Sequence, residues 1–276
     1  MTRTPTWVWT TLCTLATAVL LLVGWQLAIG LSGLSPYLAK TPVDVWRYLF
    51  VDGAGNPAAA ADRRAALGPM IGVTVTHSAV GLLLGVGTGF VGAVALTVSR
   101  SLRAVFLPLA LLLQTVPLIA MAPVIYAVFG SGILTAAVVA AVVTFFPLLM
   151  NIGAGLSSST PETIDLVRAY GGGRWTLLRF VQLPASLPSL FAGLKLAAPA
   201  TVSAATLYEF LFSFEGLGAN LLTSKSYSDY GLLWTLVVIT VLLSLTAYGL
   251  VVLAETLLLT GRFPSRRSTP AQKGSA

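Results

Sequence analysis

The chain has 276 residues, of which 56% are hydrophobic and 9% charged, with a mean hydropathy of +0.88 and a net charge of +7. An ordinary soluble domain carries about 25% charged residues, so this composition excludes a water-soluble globular protein and marks an integral membrane protein. The positive charge needs no nucleic acid to explain it, because basic residues gather beside the apolar runs, where an anionic leaflet attracts them.

A membrane-spanning helix needs roughly 20 apolar residues, and runs near 7–31, 70–98, 104–129, 132–155, 186–214 and 231–260 predict six such helices. These runs are far longer than the roughly 9–11 residues of an alternating barrel strand, and a bilayer admits no third kind of spanning chain. The fold class is therefore an all-α membrane bundle. The first run, preceded by Arg3, reads as a retained helix within 1–35: it is too long for a signal-peptide core and lacks a small-x-small cleavage site. Cys13 is the single cysteine, so no internal disulfide can form, and it is expected to pack as a small apolar residue.

Residues 36–69 read as an extracytoplasmic segment holding a short helix, Thr41-Pro-Val-Asp-Val-Trp-Arg-Tyr-Leu-Phe50, with Thr41 as cap and Pro42 in the first turn. Trp46 and Tyr48 suit a membrane interface. In the second span Gly81, Gly85 and Gly89 lie four apart on one face with Gly92 near it, a pattern that lets another helix approach closely. The third span carries Pro108, Pro117 and Pro123 around Gln114-Thr-Val, so several helical hydrogen bonds must be lost. Two readings stand: a kinked helix beside a pathway, or a simple bend.

The polar segment 156–185 differs in kind from the spans around it. Ser157-Ser-Ser-Thr-Pro-Glu162 is a helix-start signal, and the helix it opens is expected to end at Gly171-Gly-Gly173. Glycine permits the positive φ of a tight turn. A second short amphipathic helix begins at Arg174 and is expected to stop at Leu183-Pro184.

Glu209 follows an apolar run, and a carboxylate at membrane depth is costly unless it faces protein or water. It either lines a pathway or snorkels to the outer rim. Glu255, close to Arg262 and a span end, suits a structural or interfacial role. His77 is the lone histidine and begins no metal cluster, and neither a nucleotide-binding loop nor a nucleophile motif is present. Any energy source is then another subunit.

Placing the N-terminus in the cytoplasm sets Arg3, Arg100, Arg103, Arg168, Arg174, Arg179, Arg262, Arg266, Arg267 and Lys273 inside. Only Lys40, Arg47, Arg63, Arg64 and Lys225 fall outside, so the positive-inside rule favours an N-in, C-in arrangement. The core domain covers 70–262, and residues 263–276 read as a disordered cytoplasmic tail.

Asp165-Leu-Val-x3-Gly171-x9-Val181-x-Leu183-Pro184 resembles the Glu-Ala-Ala-x3-Gly-x9-Ile-x-Leu-Pro loop that marks membrane subunits of binding-protein-dependent ABC importers. Thr41-Pro-Val-Asp-Val-Trp, Thr115-Val-Pro-Leu-Ile-Ala-Met-Ala-Pro123, Phe146-Pro147 and Glu215-Gly-Leu-Gly-Ala-Asn look like the nitrate/sulfonate/taurine-type permeases. Asp165 stands where that family usually has Glu, Leu166-Val167 replace its two alanines, and Ser78 falls where it often has Arg.

The resemblance implies a type I importer permease fold of six helices, in the bacterial cytoplasmic membrane, working as a homodimer for a small organic anion or vitamin-like solute. It implies that Asp165, Arg168, Ala169, Tyr170, Gly171, Arg174, Leu183 and Pro184 couple the chain to a cytoplasmic ABC ATPase dimer, which holds the ATP and Mg; this chain itself carries no cofactor. An extracytoplasmic substrate-binding protein is the further partner, meeting 41–66 and 214–230. Gln114, Thr115, Met121, Asn151, Tyr208 and Glu209 are the polar or soft side chains expected along the pathway.

A stand-alone channel or secondary transporter would need its own coupling-ion residues or an inverted repeat. A membrane enzyme would need acidic or histidine residues clustered at one face. The sequence displays neither pattern.

Overall fold

The structure is a computed structural model describing residues 6–53 and 58–259, without the side chains of residues 6–8, 10 and 11. Arg3, Arg262, Arg266, Arg267, Lys273 and the 263–276 tail lie outside the described residues. The helices run in chain order as α1 (Thr6–Leu31), α2 (Pro42–Phe50), α3 (Ala60–Val98), α4 (Arg100–Leu113), α5 (Leu118–Phe129), α6 (Ile133–Leu156), α7 (Pro161–Ala169), α8 (Arg174–Leu177), α9 (Leu183–Phe212), α10 (Gly216–Ser226) and α11 (Tyr230–Leu259). Among the described residues there is no strand.

Five helical segments are long and apolar enough to cross a bilayer, and the count reaches six if α4 and α5 form one broken span. The sequence predicts one kinked helix there. Instead the chain breaks at 114–117 and α5 departs from α4 at 104°. Pro117 has no N–H to give the preceding turn and disfavours helical geometry at Val116. The break closes on short bonds, with the N–H of Thr115 and its hydroxyl both donated to the carbonyl of Leu112, at 3.1 and 2.7 Å.

The described residues divide into two compact units, one formed by those up to Thr76 with Thr206–Leu242, the other by His77–Ala205 with those from Leu243 to Leu259. In the first unit α2 begins with a reciprocal cap. The Thr41 hydroxyl accepts from the Asp44 N–H at 3.3 Å, and the Asp44 carboxylate accepts from the Thr41 N–H at 2.9 Å. Its other end is held by Arg63, a buried residue whose guanidinium donates to the carbonyls of Tyr48, Val51 and Ala58, each at 2.7 Å.

Tyr48, expected to suit a membrane interface, is covered by protein instead. It occupies the buried face of α2 with Val45, and its hydroxyl donates to Asp229 at 3.3 Å while its ring lies on the backbone of Gly231. Trp46, on the opposite face, is exposed and packs against Phe50. Cys13 also departs from expectation, since it is exposed on α1.

Burial of Asp44 acts to raise its carboxyl, but the N–H and hydroxyl of Thr41, aided by Lys40 and Arg47, outweigh it and hold the group below the ordinary aspartate value. The stability from this cap is thus complete above the ordinary aspartate range and is lost as pH falls through the depressed value. Thr41→Ala is expected to cost about 1 kcal/mol. Thermal unfolding of the purified chain checks it, and an unchanged transition would show the cap to be idle.

In the second unit the glycine face of α3 meets α6. A Cβ on Gly81 would collide with that of Ala140, one on Gly85 would lie 2.6 Å from the Thr144 Cγ2, and one on Gly89 3.0 Å from the Leu148 Cβ. Removing these side chains lets the helix backbones approach closely, the device expected of small-residue spacing in membranes. The Thr144 and Thr201 hydroxyls, 2.6 Å apart and both buried, join α6 to α9 at the same level. Leu148, Leu149, Ile152 and Leu156 of α6 carry the core onward to Leu178 and Ala197.

Candidate functional site

The polar segment after α6 folds as two pieces with very different ends. Helix α7 is capped by Thr160, whose hydroxyl accepts from the Thr163 N–H at 3.4 Å, and Pro161 occupies its first turn. The Glu162 carboxyl is held below its ordinary value first by its own backbone N–H and then by the Thr160 hydroxyl. At the far end the N–H of Gly172 donates to the carbonyl of Val167 and that of Gly171 to the carbonyl of Arg168, at 2.8 and 2.9 Å. This is a Schellman stop, and Gly171 supplies its left-handed residue with φ +77°.

The stop reverses the chain while leaving one face of α7 bare. Asp165, Leu166, Arg168, Ala169 and Tyr170 are all exposed, Tyr170 at 86%, whereas Thr163, Ile164 and Val167 turn inward. Asp165 and Arg168 approach to 3.9 Å, but both are exposed and such a pair contributes little. Gly171, Arg174 and Trp175 extend the same exposed stretch. Sequence reading did not expect Leu166 and Trp175 to present apolar surface that the chain itself leaves uncovered.

The second short helix does not stop at Leu183-Pro184 as expected. From α8 the chain passes through a π turn, Leu178–Gln182, directly into α9, so that Arg174–Phe212 is one helical run of 39 residues. Pro184 has no N–H for the turn before it, and the wider turn absorbs the mismatch by pairing the Leu183 N–H with the carbonyl of Leu178. Leu183 is half-buried and packs beside the Leu149 and Leu178 cluster, while Pro184 stays exposed. Leu183 thus belongs to the core rather than to the bare surface.

The break between α4 and α5 opens a cavity of about 490 Å³, into whose wall Gln114, Thr115 and Met121 are brought together with Val142, Val143 and Phe146 of α6. Asn151 is not part of it. Its amide donates to the carbonyl of Pro147 at 2.8 Å, and its Cβ packs against Gly193 of α9.

Tyr208 and Glu209 belong to the first unit, and both are buried. Glu209 does not snorkel: its carboxylate accepts from the Thr74 hydroxyl at 2.7 Å and from the Gly218 N–H at 3.0 Å, and the Leu217 N–H donates to the Thr74 hydroxyl oxygen at 2.9 Å. The carboxylate thereby caps the first turn of α10, whose Glu215 cap residue makes no side-chain bond. Gly216, at φ +90°, lets the backbone wrap this close to the acid.

Sequence reasoning also passed over Lys195, a single cation inside the run 186–214. It pairs with Glu255 of α11 at 2.5 Å, each side chain being about a quarter exposed, at 28 and 22%. Glu255 thus takes a partner from α9, while Arg262 lies outside the described residues.

Residues 66–258 match the family described as the binding-protein-dependent transport system inner membrane component. The chain belongs to that family. Over 145 residues it is 35% identical to the riboflavin transport system permease protein of Chloroflexus aurantiacus, a stretch covering 52% of this chain and 54% of that one. It is 29% identical over 234 residues to a probable ABC transporter permease protein of Haemophilus influenzae, covering 85 and 91%. It is 27% identical over 201 residues to the formylaminopyrimidine transport permease protein of Halalkalibacterium halodurans, covering 72 and 76%. The protein is accordingly a permease, a multi-pass transport component of the bacterial cytoplasmic membrane, and its family works with a substrate-binding protein and an ATPase.

Proposed function

We propose that this permease pairs with a second copy of itself to form the pathway of an ATP-driven importer, and that residues 162–184 couple that pathway to a separate ATPase. The reading rests chiefly on one observation: α7 ends in a Schellman stop that presents Asp165, Leu166, Arg168, Ala169 and Tyr170 outward as an uncovered face. An exposed face carrying both charges and apolar side chains on a short capped helix suits docking in a groove of a soluble partner. The N-terminus and this segment are cytoplasmic, in keeping with the basic residues gathered on that side.

ATP-driven closure of the partner would move the docked helices together and rock the two permease copies between inward- and outward-facing states. Gln114, Thr115 and Met121 at the broken helix are the side chains this reading sets along the path. The solute is a small organic anion or a vitamin-like compound, in line with the riboflavin, formylaminopyrimidine and taurine named for the relatives. The loaded binding protein shifts the equilibrium only through better contacts with one state.

Gly171→Pro tests the coupling. Proline cannot adopt φ +77° and removes the N–H bonded to Arg168, a local loss of about 3 kcal/mol confined to the joint. With ATPase and binding protein co-reconstituted in liposomes, the variant is expected to remain in the membrane while uptake falls to background. Wild-type uptake would refute the coupling role.

A further inference from the structure

A groove of the second unit carries features to which the proposed transport role assigns no part. Helix α4 shares the walls of two cavities with α3 and α6, yet none of its 14 residues is buried. Beneath one flank is a cavity of about 410 Å³ whose wall is entirely apolar, including Gly92 and Leu96 of α3, Leu102 and Phe106 of α4, and Phe145 and Leu149 of α6. Beneath the other flank a smaller cavity, about 150 Å³, shares Leu96 and Leu149 with the first but adds Thr97 and Arg103. Arg103 is exposed, as is Arg100 one turn before it, and no ion pair among the described residues engages either.

From this pairing of a dry apolar groove with an adjoining arginine, we infer that α4 seats an anionic phospholipid, one acyl chain filling the larger cavity and the phosphate resting on Arg103. Water gains no partner in a wall without polar groups, and in a bilayer the apolar matter at hand to fill such a space is a lipid tail. The neighbouring guanidinium decides the headgroup: arginine forms paired hydrogen bonds with phosphate oxygens, and basic sites between membrane helices select anionic lipids. The seat explains why α4 stays unburied by protein, since its inner face is covered by the tail. The inference depends on the membrane location of the chain and not on its coupling to an ATPase.

The full-length permease, purified in detergent, supplies the test. Retained lipid is read by native mass spectrometry and thermal unfolding is followed with added phosphatidylglycerol or phosphatidylcholine. Phosphatidylglycerol is expected to be preferred about five-fold, the effect of one arginine beside an anionic surface. Arg103→Gln should abolish the preference without displacing lipid, and Ala110→Phe, which fills the larger cavity, should displace both lipids. Equal response to the two lipids, or a preference that survives Arg103→Gln, overturns the headgroup assignment and with it the inference. A second copy in the groove would instead link Phe106→Cys chains, in a Cys13→Ser background, as disulfide dimers in membranes, and that result also overturns it. Because Arg103 is exposed, its substitution keeps the test valid even if Ala110→Phe fails to fold.

Discussion

Removing either partner of the Lys195–Glu255 pair, by Lys195→Met or Glu255→Gln, is expected to destabilise the permease by about 3 kcal/mol. The two side chains meet at 2.5 Å between α9 and α11, and most of each is shielded from the surroundings. Deleting one charge leaves the other in a largely apolar setting with its attraction gone, and that uncompensated ion, rather than the lost contact, is the main cost. The double replacement Lys195→Met with Glu255→Met should therefore be much milder than either single change. The reversed pair, Lys195→Glu with Glu255→Lys, should recover most of the stability. Unfolding in mixed micelles, together with the amount of each variant found in membranes, decides it. Single variants within about 0.5 kcal/mol of wild type would show the ion pair to be ornamental, as exposed pairs usually are.

Gly85→Leu is expected to cost about 3 kcal/mol or more, at the upper end of overpacking effects. The leucine Cβ alone would enter the side chain of Thr144 and lie 3.1 Å from the carbonyl of Ala141, so α3 and α6 would have to separate. Separation strips contacts along the whole seam from Gly81 to Gly92 and disturbs the bond between Thr144 and Thr201. Gly87→Leu is the matched control: nothing lies within 4 Å of a Cβ at that position, and a leucine there faces open space. Comparable losses from both substitutions would trace the effect to helix glycine chemistry in general and remove the close seam as the cause.

Much of this arrangement is legible in the chain. The Gly81, Gly85 and Gly89 spacing announces a close helix contact, and Thr41 with Pro42 announces the start of α2, because both depend on residues a few positions apart in one helix. The same holds for Thr160-Pro161 and Gly171, whose cap and stop are completed within the segment itself. Other expectations failed for reasons that local pattern does not contain. Tyr48 looked interfacial until Arg63, Asp229 and Gly231 closed around it from distant parts of the chain. Pro184 looked like a stop, yet the π turn before it carried the helix through.

The sequence by itself determined that this protein is a helical membrane protein, that most of its spans lie on its long apolar runs, and that a polar, capped helix stands between two of them. These follow from hydropathy and short-range stereochemistry, which act within one segment. Only the tertiary structure decided that Glu209 caps α10 instead of snorkelling, that Lys195 finds Glu255, and that Gln114, Thr115 and Met121 share one cavity while Asn151 stands apart. A buried charge settles wherever the fold brings donors or an opposite charge to it, and which helices bring them is set by packing between residues as far apart as Thr74 and Glu209.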